Sequence, residues 1–266
     1  MKRIAACLLF VLILLDGIPL NAQLGAPNSS GVSIALVHLT VRNPDEHRKL
    51  WELIGGVSTH SGALELMRFP GIFVALSRGE SSDGSEGSTV NHFGLAVKSV
   101  DAIHAKLGAA GLPTVQELNG PKRWVTMFPD KIKVEFTEDP ALEVPVAGHH
   151  LHLSTTSAKM ELLRSWYVKN FGATAETRRG FPSAVFNGGE INLLQATAEQ
   201  APTKGRALDR IGFEIRGLEA FCKGLEAAGI PFESRIHVDP ESGLKSALIT
   251  DPAGTTIELT EGLGKL

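Results

Sequence analysis

The sequence predicts an α+β fold made of four copies of one module, each running strand, helix, then two or three strands (βαβββ). Three observations carry this prediction. The chain repeats itself, since VDAIHAKLGAAGLP (Val100 to Pro113) matches LEAFCKGLEAAGIP (Leu218 to Pro231), and self-similarity in fixed order marks a repeated architecture. The strands before these two segments also match, NHFGLAV with DRIGFEI, as do the strands that close their modules, KVEFTE with TIELTE. The first and third quarters of the chain show the same order of alternating and helical patterns.

The elements follow in chain order. MKR is a basic start, IAACLLFVLILL is an apolar run too short to span a bilayer comfortably, and PLNA before Gln23 resembles a cleavage site. Residues 1–22 are therefore expected to be a secretory signal, leaving a flexible segment over 23–32 and an exported protein, periplasmic or extracellular, with no stable membrane insertion. Removal of Cys7 with that signal leaves Cys222 alone, so no intramolecular disulfide is expected. The first module then reads SIALVHLTV, the helix DEHRKLWELIGG, and the strands ALELMRF and GIFVALS. RGESSDGSEGST (Arg78 to Thr89) is expected to be a mobile linker, because it has few apolar groups.

In the second module, the helix ends at AAG, with Gly111 as its cap and Pro113 beyond. In the third, HHLHLST precedes the helix KMELLRSWYVKNFG, whose Leu162, Leu163, Trp166 and Phe171 form its apolar side. SAVFNGG and EINLLQA follow. The fourth helix ends at Gly229 and carries Cys222 at helical spacing with Leu218, Phe221 and Leu225, the pattern of a small core residue. Its closing turn DPAGTT has a glycine that the equivalent FPDKIK of the second module lacks, so that turn must be made differently. DPALEVPVAG divides the chain into two expected domains, residues 33–138 and 148–262, each of two modules. His47 and His104 fall on helices and are expected to be solvated. Trp124 is expected to line a wall or the core.

Composition narrows the partners. The 266 residues carry a net charge of -3, with 43% hydrophobic and 21% charged residues. This is an ordinary globular balance with no basic run, so nucleic acid is excluded as a partner and a small molecule is expected. A monomer or a homodimer is the expected state.

Four such modules, with NHFGLAV, AAGIP and DPAGTTIEL in this order, resemble the vicinal oxygen chelate superfamily, which includes glyoxalase I, extradiol dioxygenases and the fosfomycin and bleomycin resistance proteins. The resemblance covers nearly all of the chain beyond the signal. It implies two cupped, mixed and mostly antiparallel sheets with helices outside. It also implies metal ligands on the first strand of each module and at the glutamate of a last strand.

Strand alternation then selects residues. His92 stands at the implied ligand position of the second module, and Glu135 lies between Val134 and Phe136 on its last strand. In the third module His150 aligns with His92, His152 shares its face, and strict alternation turns His149 away. In the fourth, Glu258 is kept but Arg210 replaces the histidine. The first has Leu36, with His38 two residues along. Modules that pair as neighbours would give incomplete sets unless His38 reaches inward. Crosswise pairing would join His92, Glu135 and His150, and leave Arg210 and Glu258 in the other cup as an ion pair that Glu214 could join.

The implied cofactor is one divalent ion (Zn, Mn, Fe or Ni) on His92, Glu135 and His150, with His38 and Glu258 as the less favoured set and Glu135 as ligand or base. The expected function is binding of a small organic molecule, with lyase or isomerase chemistry on the ion. A metal-free sequestering protein of the bleomycin-resistance kind is one alternative, and an Fe(II) extradiol-type dioxygenase is another.

Overall fold

The computed structural model describes residues 24–118 and 122–266, so the expected signal and Cys7 lie outside the described residues. Four modules are present. The first is β1 (Val32–Val41), α1 (Pro44–Leu53), β2 (Val57–Ser61), β3 (Leu64–Phe69) and β4 (Ile72–Arg78). The second is β5 (Val90–Val97), α2 (Val100–Ala109), β6 (Thr114–Leu118), β7 (Arg123–Phe128) and β8 (Ile132–Glu138). The third is β9 (Val146–Thr156), α3 (Ser157–Phe171), β10 (Thr174–Arg178), β11 (Phe181–Phe186) and β12 (Gly189–Ala196). The fourth is β13 (Leu208–Ile215), α4 (Leu218–Ala227), β14 (Phe232–Val238), β15 (Lys245–Thr250) and β16 (Thr256–Glu261).

The modules join crosswise into two eight-stranded sheets, ordered β14-β15-β16-β13-β1-β4-β3-β2 and β10-β11-β12-β9-β5-β8-β7-β6. First strands meet antiparallel at each centre, β1 with β13 and β5 with β9. Each first strand runs parallel to the last strand of its own module. Residues 33–138 and 148–262 thus each contribute one module to each sheet. Sequence neighbours instead share the helix-side core: Trp51 of α1 stacks on Phe128 at 4.3 Å between ring centroids, and Phe171 of α3 lies 4.7 Å from Phe213. Burying these large rings is the dominant favourable term in such a core.

Several expectations change on packing. In α3 the buried stripe is Leu163, Tyr167 and Phe171, while Leu162 is exposed. This is the i, i+4, i+8 row that faces the sheet. His47 is fully buried, and its Nε2 lies 3.2 Å from Asp130 Oδ2. His104 is half-buried against the Trp124 ring, which packs on the helix side of β7. Cys222 is buried, and burial, with nearby Glu226 and Glu219, pushes its thiol up to about 11.

The turn FPDKIK replaces the missing glycine with left-handed backbone at Asp130 and Lys131, each at φ 58°. Arg42 holds this turn by donating from Nε to Asp130 Oδ1 at 2.7 Å, and His47 contacts the other oxygen. The segment 78–89, expected to be mobile, is pinned. Ser85, Ser88 and Thr89 are buried, Arg206 donates to the carbonyls of Gly84 and Glu86, and Ser85 Oγ accepts from Lys133 N. Polar bonds order it where apolar groups are lacking.

Candidate metal centre

β5 and β9 build the site. Their register places His92 opposite His152 and Gly94 opposite His150. β8, parallel to β5, sets Glu135 beside Gly94. Glu135, His92, His150 and His152 thus gather on the face away from the helices, and all four are buried. One donor atom from each lies within 4.8 Å of every other. His92 Nε2 stands 3.2 Å from Glu135 Oε2, and His150 Nε2 stands 3.7 Å from Glu135 Oε1.

Two donors held at about 2.1 Å from one ion in neighbouring positions stand about 3 Å apart, so these spacings need only small closure. Two further observations fit an ion. His150 Nε2 and His152 Nδ1 are buried with no hydrogen-bond partner, and such orphaned groups are costly unless something binds them. His92 Nδ1 donates to Asn91 Oδ1 at 2.8 Å, so Nε2, which faces Glu135, is the nitrogen that would coordinate once it gives up its proton. Arg123 Nη1, 3.7 Å from Glu135 Oε1, is the group that an ion must share the carboxylate with.

His149 departs from the expected alternation. The β5–β9 register shifts between Gly94 and Leu95, leaving His149 as the extra residue of a bulge. A bulge re-aims a side chain, and His149 Nδ1 lies 2.7 Å from His150 Nδ1. One of these nitrogens donates and the other accepts, so the two rings cannot both be imidazolium. Arg179 Nη1 approaches His149 Nε2 at 3.3 Å and can only donate, which favours the tautomer with the His149 proton on Nδ1. That chain directs the His150 proton to Nε2, so coordination there must displace it or reverse the contact.

The electrostatics follow from burial. Burial alone would raise the Glu135 carboxyl. The hydrogen bond and charge of His92, the charge of His152 and the Thr137 hydroxyl outweigh it and hold Glu135 at about 2. Burial, with His92 nearby, lowers His152 to about 3. Burial also lowers His150 well below the usual imidazole value and lowers His149, where Arg179 adds to the effect. His150 and His152 are therefore neutral at physiological pH, as ligands must be.

The other sheet carries the same positions with different residues. Leu36 lies on Gly212 as His150 lies on Gly94, since a Cβ at residue 212 would come 2.7 Å from Leu36 Cδ2. Arg210, opposite His38, stands where the first site has His92. His38 and Glu258 therefore do not join the histidine cluster. They pair with each other, Nδ1 to Oε2 at 3.1 Å, and His38 Nε2 meets Ser77 Oγ at 2.7 Å. Burial would raise the Glu258 carboxyl, but the His38 hydrogen bond and the charges of His38 and Arg210 lower it overall. Arg210 binds Asp209 at 2.8 Å and reaches Glu258 only at 3.9 Å. Glu214 does not join; it accepts from Thr260 Oγ1 and Gly262 N.

The sequence reading missed Asn192. It sits opposite His152 on β12, fully buried, at the position matching Glu135. Ser183 Oγ donates to its Oδ1 at 2.6 Å, and its Nδ2 donates to Glu190 at 3.0 Å. The alignment of EINLLQA with KVEFTE could have found it. Above the cluster lies a cavity of about 230 Å³, with Arg123, Lys133, Phe181 and Leu194 in its walls. A larger groove of about 840 Å³ lies between Leu24–Pro27 and the C-terminal turn, and no histidine lines it.

Comparison with known proteins agrees with this fold. Residues 149–259 match the model of the Glyoxalase/Bleomycin resistance protein/Dioxygenase superfamily, and the described residues share their fold with solved structures of glyoxalase I. No curated protein matches the sequence. Glyoxalase I from Zea mays is similar in structure, with a TM-score of 0.67 at 14% identity, covering 88% of this chain and 94% of that one. A putative dioxygenase from Bacillus subtilis is similar with a TM-score of 0.64 at 13% identity, covering 89% of this chain and 86% of that one.

Proposed function

We propose that this protein binds one divalent metal ion through His92, Glu135 and His150, with His152 beside them, and acts as a lyase or isomerase on a small organic molecule. The observation that carries this reading is the buried cluster of three imidazoles and a carboxylate, in which His150 Nε2 and His152 Nδ1 have no hydrogen-bond partner. Zn, Mn, Fe or Ni would suit two or three imidazoles and a carboxylate. When bound, such an ion polarises adjacent substrate oxygens as a Lewis acid. Glu135, its carboxyl held at about 2 against burial by the hydrogen bond and charge of His92, is ionised and available as a ligand. The neutral His152 ring, in edge contact with Phe181 at 5.1 Å, borders the cavity where substrate would lie. Export after cleavage before Gln23 is part of this proposal, supported by the N-terminal sequence pattern.

Metal analysis of the purified protein tests the reading. The expected result is near-stoichiometric metal that His92→Ala removes and Arg210→Ala leaves in place. A protein that holds no metal, and takes up Zn²⁺, Mn²⁺, Fe²⁺ and Ni²⁺ only at millimolar concentration, would overturn it in favour of a metal-free binding protein.

A further inference from the structure

A second relay of side chains lies on the other sheet, apart from the histidine cluster. Ser77 of β4, His38 of β1 and Glu258 of β16 form one hydrogen-bonded chain. His38 Nε2 meets Ser77 Oγ at 2.7 Å, and His38 Nδ1 meets Glu258 Oε2 at 3.1 Å. Burial works against charge on Glu258, but the His38 hydrogen bond and the charges of His38 and Arg210 outweigh it, so the carboxylate is ionised and can only accept. In the neutral ring the proton therefore sits on Nδ1, Nε2 is the acceptor, and the Ser77 hydroxyl donates to it. A serine hydroxyl donating to a base that a carboxylate orients is the arrangement that activates an oxygen nucleophile.

The histidine-bearing sheet shows what the serine adds. Leu194 of β12 pairs with Ser154, four residues beyond the Glu190–His150 pair, as Ser77 pairs with Thr40, four residues beyond the Phe73–Leu36 pair. Leu194 is thus the counterpart of Ser77, His152 of His38 and Glu135 of Glu258. Leu194 walls the cavity above the cluster, and His152 Nδ1 beside it has no partner. The position that borders ligand space in one sheet carries a hydroxyl in the other, and there both nitrogens of the histidine are engaged. Ser77 is half-buried, one residue before the exposed end of β4, while His38 and Glu258 are buried. The hydroxyl is thus the accessible end of the relay.

We infer that Ser77 is the nucleophile of a second, metal-independent site that takes acyl groups from small esters with acidic leaving groups. Ser77 Oγ attacks the ester carbonyl carbon while His38 Nε2 takes the hydroxyl proton. The bond from that carbon to the leaving oxygen breaks, and the leaving oxygen takes the proton from His38 as the alcohol or phenol departs. Water then attacks the acyl-serine, His38 accepts its proton and passes it to Ser77 Oγ, and the acid is released. His38 is the catalytic base and Glu258 a positioning residue. The substrate class follows from what the chain supplies, a nucleophile and one base, which suits a leaving oxygen of low basicity.

The His38–Glu258 pair is buried and also supports the sheet, so the test leads with Ser77. Treatment of the purified protein with a fluorophosphonate, followed by peptide mass mapping, should place one label on Ser77. Ser77→Ala should abolish the label, and with it a stoichiometric burst of p-nitrophenol from p-nitrophenyl acetate, with metal content unchanged. Prior chelation should leave label and burst intact, so this site and the metal site fail separately. His38→Gln should slow labelling about a hundredfold, the scale of general-base catalysis. Glu258→Gln, in protein shown by circular dichroism to be folded, should lower the maximal labelling rate about tenfold or more. The reagent concentration giving half that rate should not move, a split that a purely structural role would not produce. An unlabelled Ser77, a label that persists in Ser77→Ala, or a rate that His38→Gln leaves unchanged would overturn the inference.

Discussion

Gly94 lies directly beneath the His150 ring: a Cβ at residue 94 would stand 2.6 Å from His150 Nε2. The absence of a side chain at this one position on β5 is what lets the imidazole fold down toward Glu135. Contacts closer than about 3 Å cannot be accommodated without movement, and the ring has a packed sheet around it. Gly94→Ala is therefore expected to push His150 off the cluster and weaken metal binding at least tenfold. Metal titration with a circular dichroism control for folding checks this. Unchanged affinity would remove His150 from the ligand set.

Arg179 should tune the site from a distance. It donates toward His149 Nε2 and so favours the tautomer chain that places the His150 proton on Nε2, and it adds positive charge near the cluster. Arg179→Met removes both effects, which act in the same direction. Metal affinity should rise a few-fold in a competition titration with a chelating dye, and fewer protons should be released per ion bound.

Acid should destabilise the metal-free protein through the titrating groups of the cluster, His150 and His149 included, with His152 and Glu135 marking the two ends of the window. His152 has a folded pKa of about 3 against an ordinary 6.5, so the unfolded chain binds a proton that the folded one refuses as pH falls below 6.5. Glu135, at about 2 against 4.5, contributes stability that is present above 4.5 and lost as pH falls toward 2. Each contributes a slope of about 1.4 kcal/mol per pH unit within its own window. Urea unfolding from pH 7 to 4 should show stability declining from about pH 6.5 downward. His152→Gln should flatten the upper part of that decline by about 2 kcal/mol between pH 6.5 and 4.5.

The His38–Glu258 pair should be structural. Both side chains are buried, and Glu258 has Arg210 as its second neighbour. Removing one member of a buried pair leaves the other without compensation, at a cost of about 3 kcal/mol. Glu258→Ala should lower stability by this order in chemical denaturation and leave metal stoichiometry unchanged. A loss of metal with normal stability would move the site to the other sheet.

N-terminal sequencing of protein recovered from a secreting host should begin at Gln23. Recovery of an intact Met1 in a membrane fraction would contradict export.

The sequence alone determined the modules and the residue types on the faces of their first and last strands. Strand alternation and the helix cap signals are local, so AAGLP and AAGIP marked their helix ends, and His92, His150, Glu135 and Glu258 were placed on the correct faces. Only the tertiary structure decided which modules join. Both pairings satisfy the same local pattern, and the choice lies in how first strands meet across β5–β9 and β1–β13. That choice completed one cluster and left Leu36, Arg210 and the His38–Glu258 pair in the other sheet. The bulge that turns His149 toward His150 was also out of reach, because it arises from register between strands far apart in sequence. The burial of His47 was hidden for a related reason: its partner Asp130 lies 83 residues away, on a turn whose left-handed backbone the local sequence FPDKIK does not announce.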